Sequence, residues 1–276
     1  MQWPVRQHMK KNILLIFTIL IFTAKLFAQD CGYEEYYSLV DIASKNYNDK
    51  NYKDAEKNLK LAFTKTDHPL GADLHLAFSV AKKRNDEKWA EQIAIRLAKG
   101  GIPLRYFRYY KKSSWYEQFS ADFQTYSDYY IANYKPELRD DLLDLISRDK
   151  EFNSNYHDWR TRKIELSLDK LINGASKIIS DFKQMTDKYG FPNERLTGYN
   201  YVRRKNSVEY YNTDVLIIHI YQRGVLIFKD EIHDIVCEGG LHPNYEETLK
   251  KIRGFGNSTG VEQEMKVRYK MYRQTE

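Results

Sequence analysis

Glycine and proline are sparse, 13 and 6 in 276 residues, which excludes fibrous and low-complexity classes. Cysteine is limited to Cys31 and Cys237, which leaves room for one disulfide. No apolar run is long enough to span a bilayer. The longest, ILLIFTILIF at residues 13–22, is half of the roughly 20 residues a span needs, and Lys25 follows it. Catalytic signatures are also missing. The one Gly-x-Ser-x-Gly match, Gly256-Asn257-Ser258-Thr259-Gly260, follows no strand pattern and so is not a nucleophile elbow. Gly254-x-Gly256-x-x-x-Gly260 lacks the Gly-Lys-Ser/Thr ending and the preceding strand of a phosphate loop.

The short apolar run has the setting of an export signal. Arg6, Lys10 and Lys11 precede it, and Leu26-Phe27-Ala28 offers a small residue for cleavage before Gln29. Residues 1–29 are therefore expected to be a cleaved signal peptide. The product would be periplasmic or extracellular, with no stable membrane span. The full chain carries 44 Lys+Arg against 38 Asp+Glu, a net +6. Four of those bases lie in the signal, so the mature chain would hold 40 against 38, or +2. A charge so near neutral gives little long-range attraction to phosphate backbones and argues against nucleic-acid binding. In an oxidising compartment the pair Cys31 and Cys237 favours a disulfide, contributing about 4–5 kcal/mol at most in the chain-entropy picture. The competing expectation is a buried Cys237 thiol and a free Cys31.

Aromatics make up 14 % of a polar chain (mean hydropathy −0.69), and 23 are tyrosines. Tyrosine buries its ring and keeps its hydroxyl hydrated, which suits packed helices with polar outer surfaces. Tyr36, Tyr37, Val40, Ala43 and Tyr47 recur at helical spacing, Asn48-Asp49-Lys50-Asn51 is a turn, and Tyr52, Ala55, Leu59, Ala62 and Phe63 form a second helix. Asp67-His68-Pro69 ends this hairpin. A second follows: Leu74, Ala77, Phe78 and Ala81, then Arg84-Asn85-Asp86, then Trp89, Ala90, Ile93, Ala94 and Leu97. Ala55, Leu59 and Ala62 map onto Ala90, Ala94 and Leu97, each 35 residues on. The Tyr52-x-x-Ala55-x-x-x-Leu59-x-x-Ala62 spacing resembles the second helix of a tetratricopeptide repeat, whose period is about 34. The resemblance covers about residues 33–98 and implies stacked hairpins with a concave surface.

Gly100-Gly101 and Pro103 break the pattern, and residues 104–134 are dense in aromatic side chains. One reading is a cap on the hairpin stack, because a terminal repeat must cover its neighbour's apolar face. The other is a binding surface for a peptide or glycan, formed by Tyr106, Tyr109, Tyr110, Trp115 and Tyr116. Lys135-Pro136 marks a boundary. It divides the mature chain into residues 30–135, the hairpins with their aromatic cap, and residues 136–276, a second helical domain.

In the second part, Leu138, Leu142, Leu145 and Ile146 lie on one helix face. A long polar helix pattern runs from 151 to 172, with Asn173-Gly174 ending or bending it, and Gly190-Phe191-Pro192 is a stop. Residues 215–228 are ambiguous between strand and helix. Val225, Phe228, Ile232 and Ile235 have helical spacing and Thr213 is a good N-cap, so helices are expected on both sides of Gly224. The order of elements from 138 to 276 resembles a bacterial domain of unknown function. The matching features are Asp140-Asp141-Leu142-Leu143, the Gly190-Phe191-Pro192 turn, Gly198, and His219 inside an apolar helix. That resemblance implies an all-helical fold and no particular activity.

Chemistry-bearing residues are few. His219 lies in VLIIHI without a polar neighbour in the run. Such an imidazole needs hydrogen-bond partners from elsewhere, as a satisfied core residue or as a general base. His233 and Cys237 share a helix face with His242 beyond the next turn, a weak set of metal donors. No cofactor is implied. Adjacent carboxylates such as Glu34-Glu35 and Glu246-Glu247 diverge by about 100° on a helix and read as solvated charges. The expected fold is all-α. The leading expectation for function is an exported, non-enzymatic binding or scaffolding protein of the bacterial cell envelope with a protein or peptide partner. The rival is an envelope hydrolase with its site around His219.

Overall fold

Tyr33, Tyr36, Tyr37, Val40 and Ala43 all turn inward, three or four positions apart, and helix α1 (Gly32–Asn48) forms around that stripe. The computed structural model describes residues 31–252 and 258–273. The signal expected at residues 1–29 lies outside the described residues, as does most of the 254–260 loop. Helix α2 (Tyr52–Ala62) buries Ala55, Leu59 and Ala62. Helix α3 (Gly71–Arg84) ends at Asn85 in the left-handed conformation, and the Asp86 side chain then accepts from the Trp89 N–H to cap α4 (Glu87–Lys99). Facing alanines, Ala77 and Ala81 on α3 with Ala90, Ala94 and Ala98 on α4, leave room between the backbones that Phe78, Trp89 and Ile93 fill.

The aromatic stretch follows as a 3-10 helix (Leu104–Tyr110), α5 (Tyr116–Ala121) and α6 (Phe123–Asn133). Its rings interlock edge to face, with Phe107 and Phe119 at 4.8 Å and Trp115 and Phe119 at 5.3 Å between centroids. This cluster is continuous with the core of the hairpins.

Helix α7 (Pro136–Arg160) begins with proline in its first turn. The sequence pattern suggested a helix from 151 to 172, ended or bent at Asn173-Gly174. The chain instead breaks at residues 161–167, where Arg162 has a positive φ, and Ser167 caps α8 (Leu168–Tyr189) by accepting from the Lys170 N–H. Gly174 lies inside α8, where a Cβ would come within 2.8 Å of the Phe152 ring. It marks the close crossing of α7 and α8, and Trp159, Leu171 and Met265 form a small core there with α13 (Val261–Arg273).

A short helix, α9 (Glu194–Thr197), leads into an antiparallel hairpin of β1 (Asn200–Val202) and β2 (Ser207–Glu209), with Tyr201 opposite Val208. The sequence pattern gave no sign of this hairpin, whose turn is Arg203-Arg204-Lys205-Asn206. Tyr199 and Val208 join the core of the first helices, so packing crosses the Lys135-Pro136 junction, and residues Tyr33–Glu276 form one compact unit.

Helix α10 (Thr213–Gln222) forms as the apolar spacing suggested, but Thr213 is its first residue rather than its N-cap; Asn212 holds that position without a side-chain cap bond. Beyond Gly224 the expectation of an immediate second helix needs correction. Residues 225–231 are loop and turns, Phe228 has φ +57°, and α11 (Ile232–Cys237) begins only at Ile232. Phe228 is drawn out of helical geometry by packing, its ring lying 5.7 Å from Phe191 and 6.3 Å from Phe182. Helix α12 (Pro243–Lys250) precedes α13. The fold is all-α apart from the small hairpin. No helix among the described residues is long and apolar enough to cross a membrane.

Candidate functional site

Helix α10 turns Leu216, Ile217 and Ile220 into the core and leaves His219 half-buried on another side. The polar partner absent from its own run comes from α7. Asp149, 3 % exposed, places Oδ2 2.6 Å from His219 Nδ1. Arg223 lies one helical turn beyond His219 and is equally buried, with Nη2 2.7 Å from Asp149 Oδ1. That approach is off the N–H direction, so it is a charge contact rather than an aligned hydrogen bond. Burial lowers the Arg223 pKa, and the Asp149 charge offsets part of that effect. The guanidinium also rests over the Phe152 ring at 4.6 Å.

This geometry fixes what the imidazole can do. A carboxylate can only accept, so the contact with Asp149 calls for the tautomer with Nδ1–H, which leaves the lone pair of the neutral ring on Nε2. The Asn153 amide lies 2.8 Å from the same Nδ1, one turn along α7 from Asp149, and restricts ring rotation. A histidine oriented by a buried carboxylate is a competent acid–base group.

His219 and Arg223 stand on the wall of a cavity of about 660 Å³, between α7, α10, α13 and the end of α12. Its size is that of a small-ligand site. Six of its side chains are basic or imidazole: His157, Arg160, His219, Arg223, Lys251 and Arg268. Glu264 is the one carboxylate among its described lining residues. Glu264 is already committed, accepting from Arg268 Nε at 2.7 Å, and Arg268 Nη2 donates to the Gln222 carbonyl. Asn153 and Gln222 add two neutral polar side chains, and the rest of the described wall is apolar or aromatic, including Phe152, Tyr156, Met265, Met271 and Tyr272.

The other residues singled out from sequence are placed differently. Tyr106 and Trp115 are buried at 3 % and 5 % exposure in the main core, and Tyr110 and Tyr116 pack against them. Only Tyr109 is well exposed, at 66 %, beside Arg108. Tyr109, Tyr110 and Trp115 line one cavity of about 240 Å³, whose described lining does not include Tyr106 or Tyr116, so the five do not form a single surface. Cys31 and Cys237 are both disulfide-bonded, so neither is a free thiol. Cys237 therefore has no thiolate to give a metal. His233 Nδ1 lies 3.4 Å from Glu246, while His242 accepts from the Asn244 N–H and packs its ring 4.2 Å from Tyr37. No group of three or more His, Cys, Asp or Glu side chains among the described residues is arranged to hold a metal.

Sequence reasoning found His219 but missed Asp149, Asn153, Arg223 and Arg268. The available signal was spacing: His219 and Arg223, like Asp149 and Asn153, are i, i+4 pairs on single helix faces. No family model, no curated protein and no solved structure matches this chain.

Proposed function

We propose that this is an exported, non-enzymatic binding protein of the cell envelope, and that its ligand is an amphiphilic anion. The ligand would seat a carboxylate or phosphate group among Arg160, Lys251, Arg268 and His219, and lay an apolar body along Met265, Met271 and Tyr272. The observation that carries this reading is the charge of the cavity wall, with four cationic side chains and two imidazoles against one committed carboxylate. Arginine is suited to planar, two-pronged recognition of such anions. Serine, threonine and cysteine are absent from the described lining residues, which favours binding over covalent catalysis.

Calorimetric titration of the mature chain with decanoate, decyl phosphate and the neutral decanol tests this reading. The two anions are expected to bind and decanol to bind much more weakly. Arg160→Gln with Lys251→Gln should weaken the anions about tenfold or more. Equal binding of decanol, or no response to the charge changes, would overturn the assignment.

The contact between His219 and Asp149 supports a second reading, a hydrolase in which Nε2 activates water. Hydrolysis of p-nitrophenyl esters or phosphates that disappears in His219→Ala, with ligand binding retained, would establish it.

A further inference from the structure

A second cavity, of about 80 Å³, shares no lining residue with the basic one and has the opposite chemistry. Glu194 and Asp214 stand on its wall with the rings of Tyr37, Tyr210, Tyr211 and His242, and no lysine or arginine is among its described lining residues. Glu194 is 5 % exposed. Its Oε2 accepts from the Gly71 N–H at 2.6 Å, at the start of α3, while its Oε1 accepts no hydrogen bond among the described residues. A buried carboxylate oxygen without a donor carries a desolvation cost that a ligand can remove.

The surroundings supply no positive charge to Glu194. Arg195, next in sequence, is turned toward Asp67, with Nη1 3.0 Å from Oδ2. Burial pushes His68 down to about 4 and lowers His242, so both imidazoles are neutral near pH 7. Asp73, with its carboxylate held by the Tyr36 and Tyr210 hydroxyls, adds negative charge behind the wall. Burial and Asp73 together push Glu194 up to about 8.

We propose that this cavity is a binding site for a small alkylammonium group. Glu194 and Asp214 supply the countercharge and the tyrosine rings supply π-faces, the combination that recognises organic cations. At about 30 Å³ per water, the space equals about two to three waters, enough for an ammonium head but not for a whole metabolite. The rest of the ligand leaves past Tyr210, a residue 44 % exposed.

The test is calorimetric titration with propylammonium chloride at about pH 8.5, above the Glu194 value, against n-butanol as the neutral isostere. Saturable binding of the cation alone is expected. Glu194→Gln should weaken it about tenfold or more without lowering the melting temperature, because glutamine retains an oxygen for the Gly71 N–H and has no charge to bury. Asp214→Asn, at a partly exposed position, should weaken it independently and decides the matter if Glu194→Gln fails to fold. Absence of saturable propylammonium binding, equal binding of butanol, or affinity indifferent to Asp214→Asn would overturn the proposal.

Discussion

His219 and Asp149 stand 70 positions apart in sequence and 2.6 Å apart in space. With Arg223 they place a carboxylate between an imidazole and a guanidinium, and both charged members are almost fully buried. Breaking such a pair from one side strands the other charge, which costs about 3–5 kcal/mol, whereas replacing both partners by apolar groups costs far less. Asp149→Ala should therefore lower unfolding stability by about that amount. The double variant Asp149→Leu, Arg223→Met should recover much of it. Urea denaturation of the three proteins is the measurement. A double variant no more stable than Asp149→Ala would show that the ion pair is not what sets the cost.

Gly198 joins the two parts of the chain. It has φ +73°, and a Cβ there would come within 2.6 Å of the Gly100 carbonyl oxygen and 2.5 Å of the Tyr130 ring. The next residue, Tyr199, donates its N–H to that same carbonyl at 2.8 Å and lays its ring against Gly100. Gly198→Ala combines an unfavourable backbone conformation with a backbone clash that no rotamer relieves. A loss of about 2–4 kcal/mol is expected. Gly190→Ala serves as control, since it has a similar φ but open space around the Cβ and should cost less. Thermal melts of the two variants separate strain from clash.

Trp115 and Tyr109 divide the aromatic stretch between its two readings. Trp115 is buried among Phe78, Tyr110 and Phe119, so Trp115→Ala should cost about 3–5 kcal/mol. Tyr109 is exposed, and Tyr109→Ala should change stability by less than about 0.5 kcal/mol. Denaturation curves giving the reverse order would restore the reading of this stretch as a ligand surface.

How much of this could be read in advance differs by element. The first four helices were legible because each buries one stripe at helical spacing, as Ala55, Leu59 and Ala62 do. Periodicity cannot tell a helix from a turn that packs like one, which is why Phe228, pinned against Phe191, was assigned to a helix it does not enter. The β1–β2 hairpin is only three residues per strand, too short for alternation to register. At the site, His219 stood out against apolar neighbours, whereas Asp149 looked like one acid among the many on α7. Its burial depends on Arg223, a contact that only the folded chain creates.

Glu194 and Asp73 give stability a sign with pH that is the reverse of the usual carboxylate. Both are buried, and burial raises Glu194 from 4.5 to about 8 and Asp73 from 3.8 to about 6. Each therefore keeps its proton in the folded state at pH values where the unfolded chain has lost it. The folded state then binds more protons, and stability falls as pH rises across that interval. Below the unfolded values, both groups are neutral in both states and contribute no penalty. The cost from Asp73 accumulates between 3.8 and about 6, and that from Glu194 continues to about 8. The combined decline is of the order of a few kcal/mol. Unfolding free energies measured from pH 5 to 8.5 should slope downward in the wild-type chain. Glu194→Gln cannot ionise and keeps the acceptor for Gly71, so it should flatten the upper half of the slope and leave the lower half to Asp73. If wild type and Glu194→Gln follow parallel curves, the Glu194 carboxyl is charged in the folded protein and is not held in the protonated state by burial.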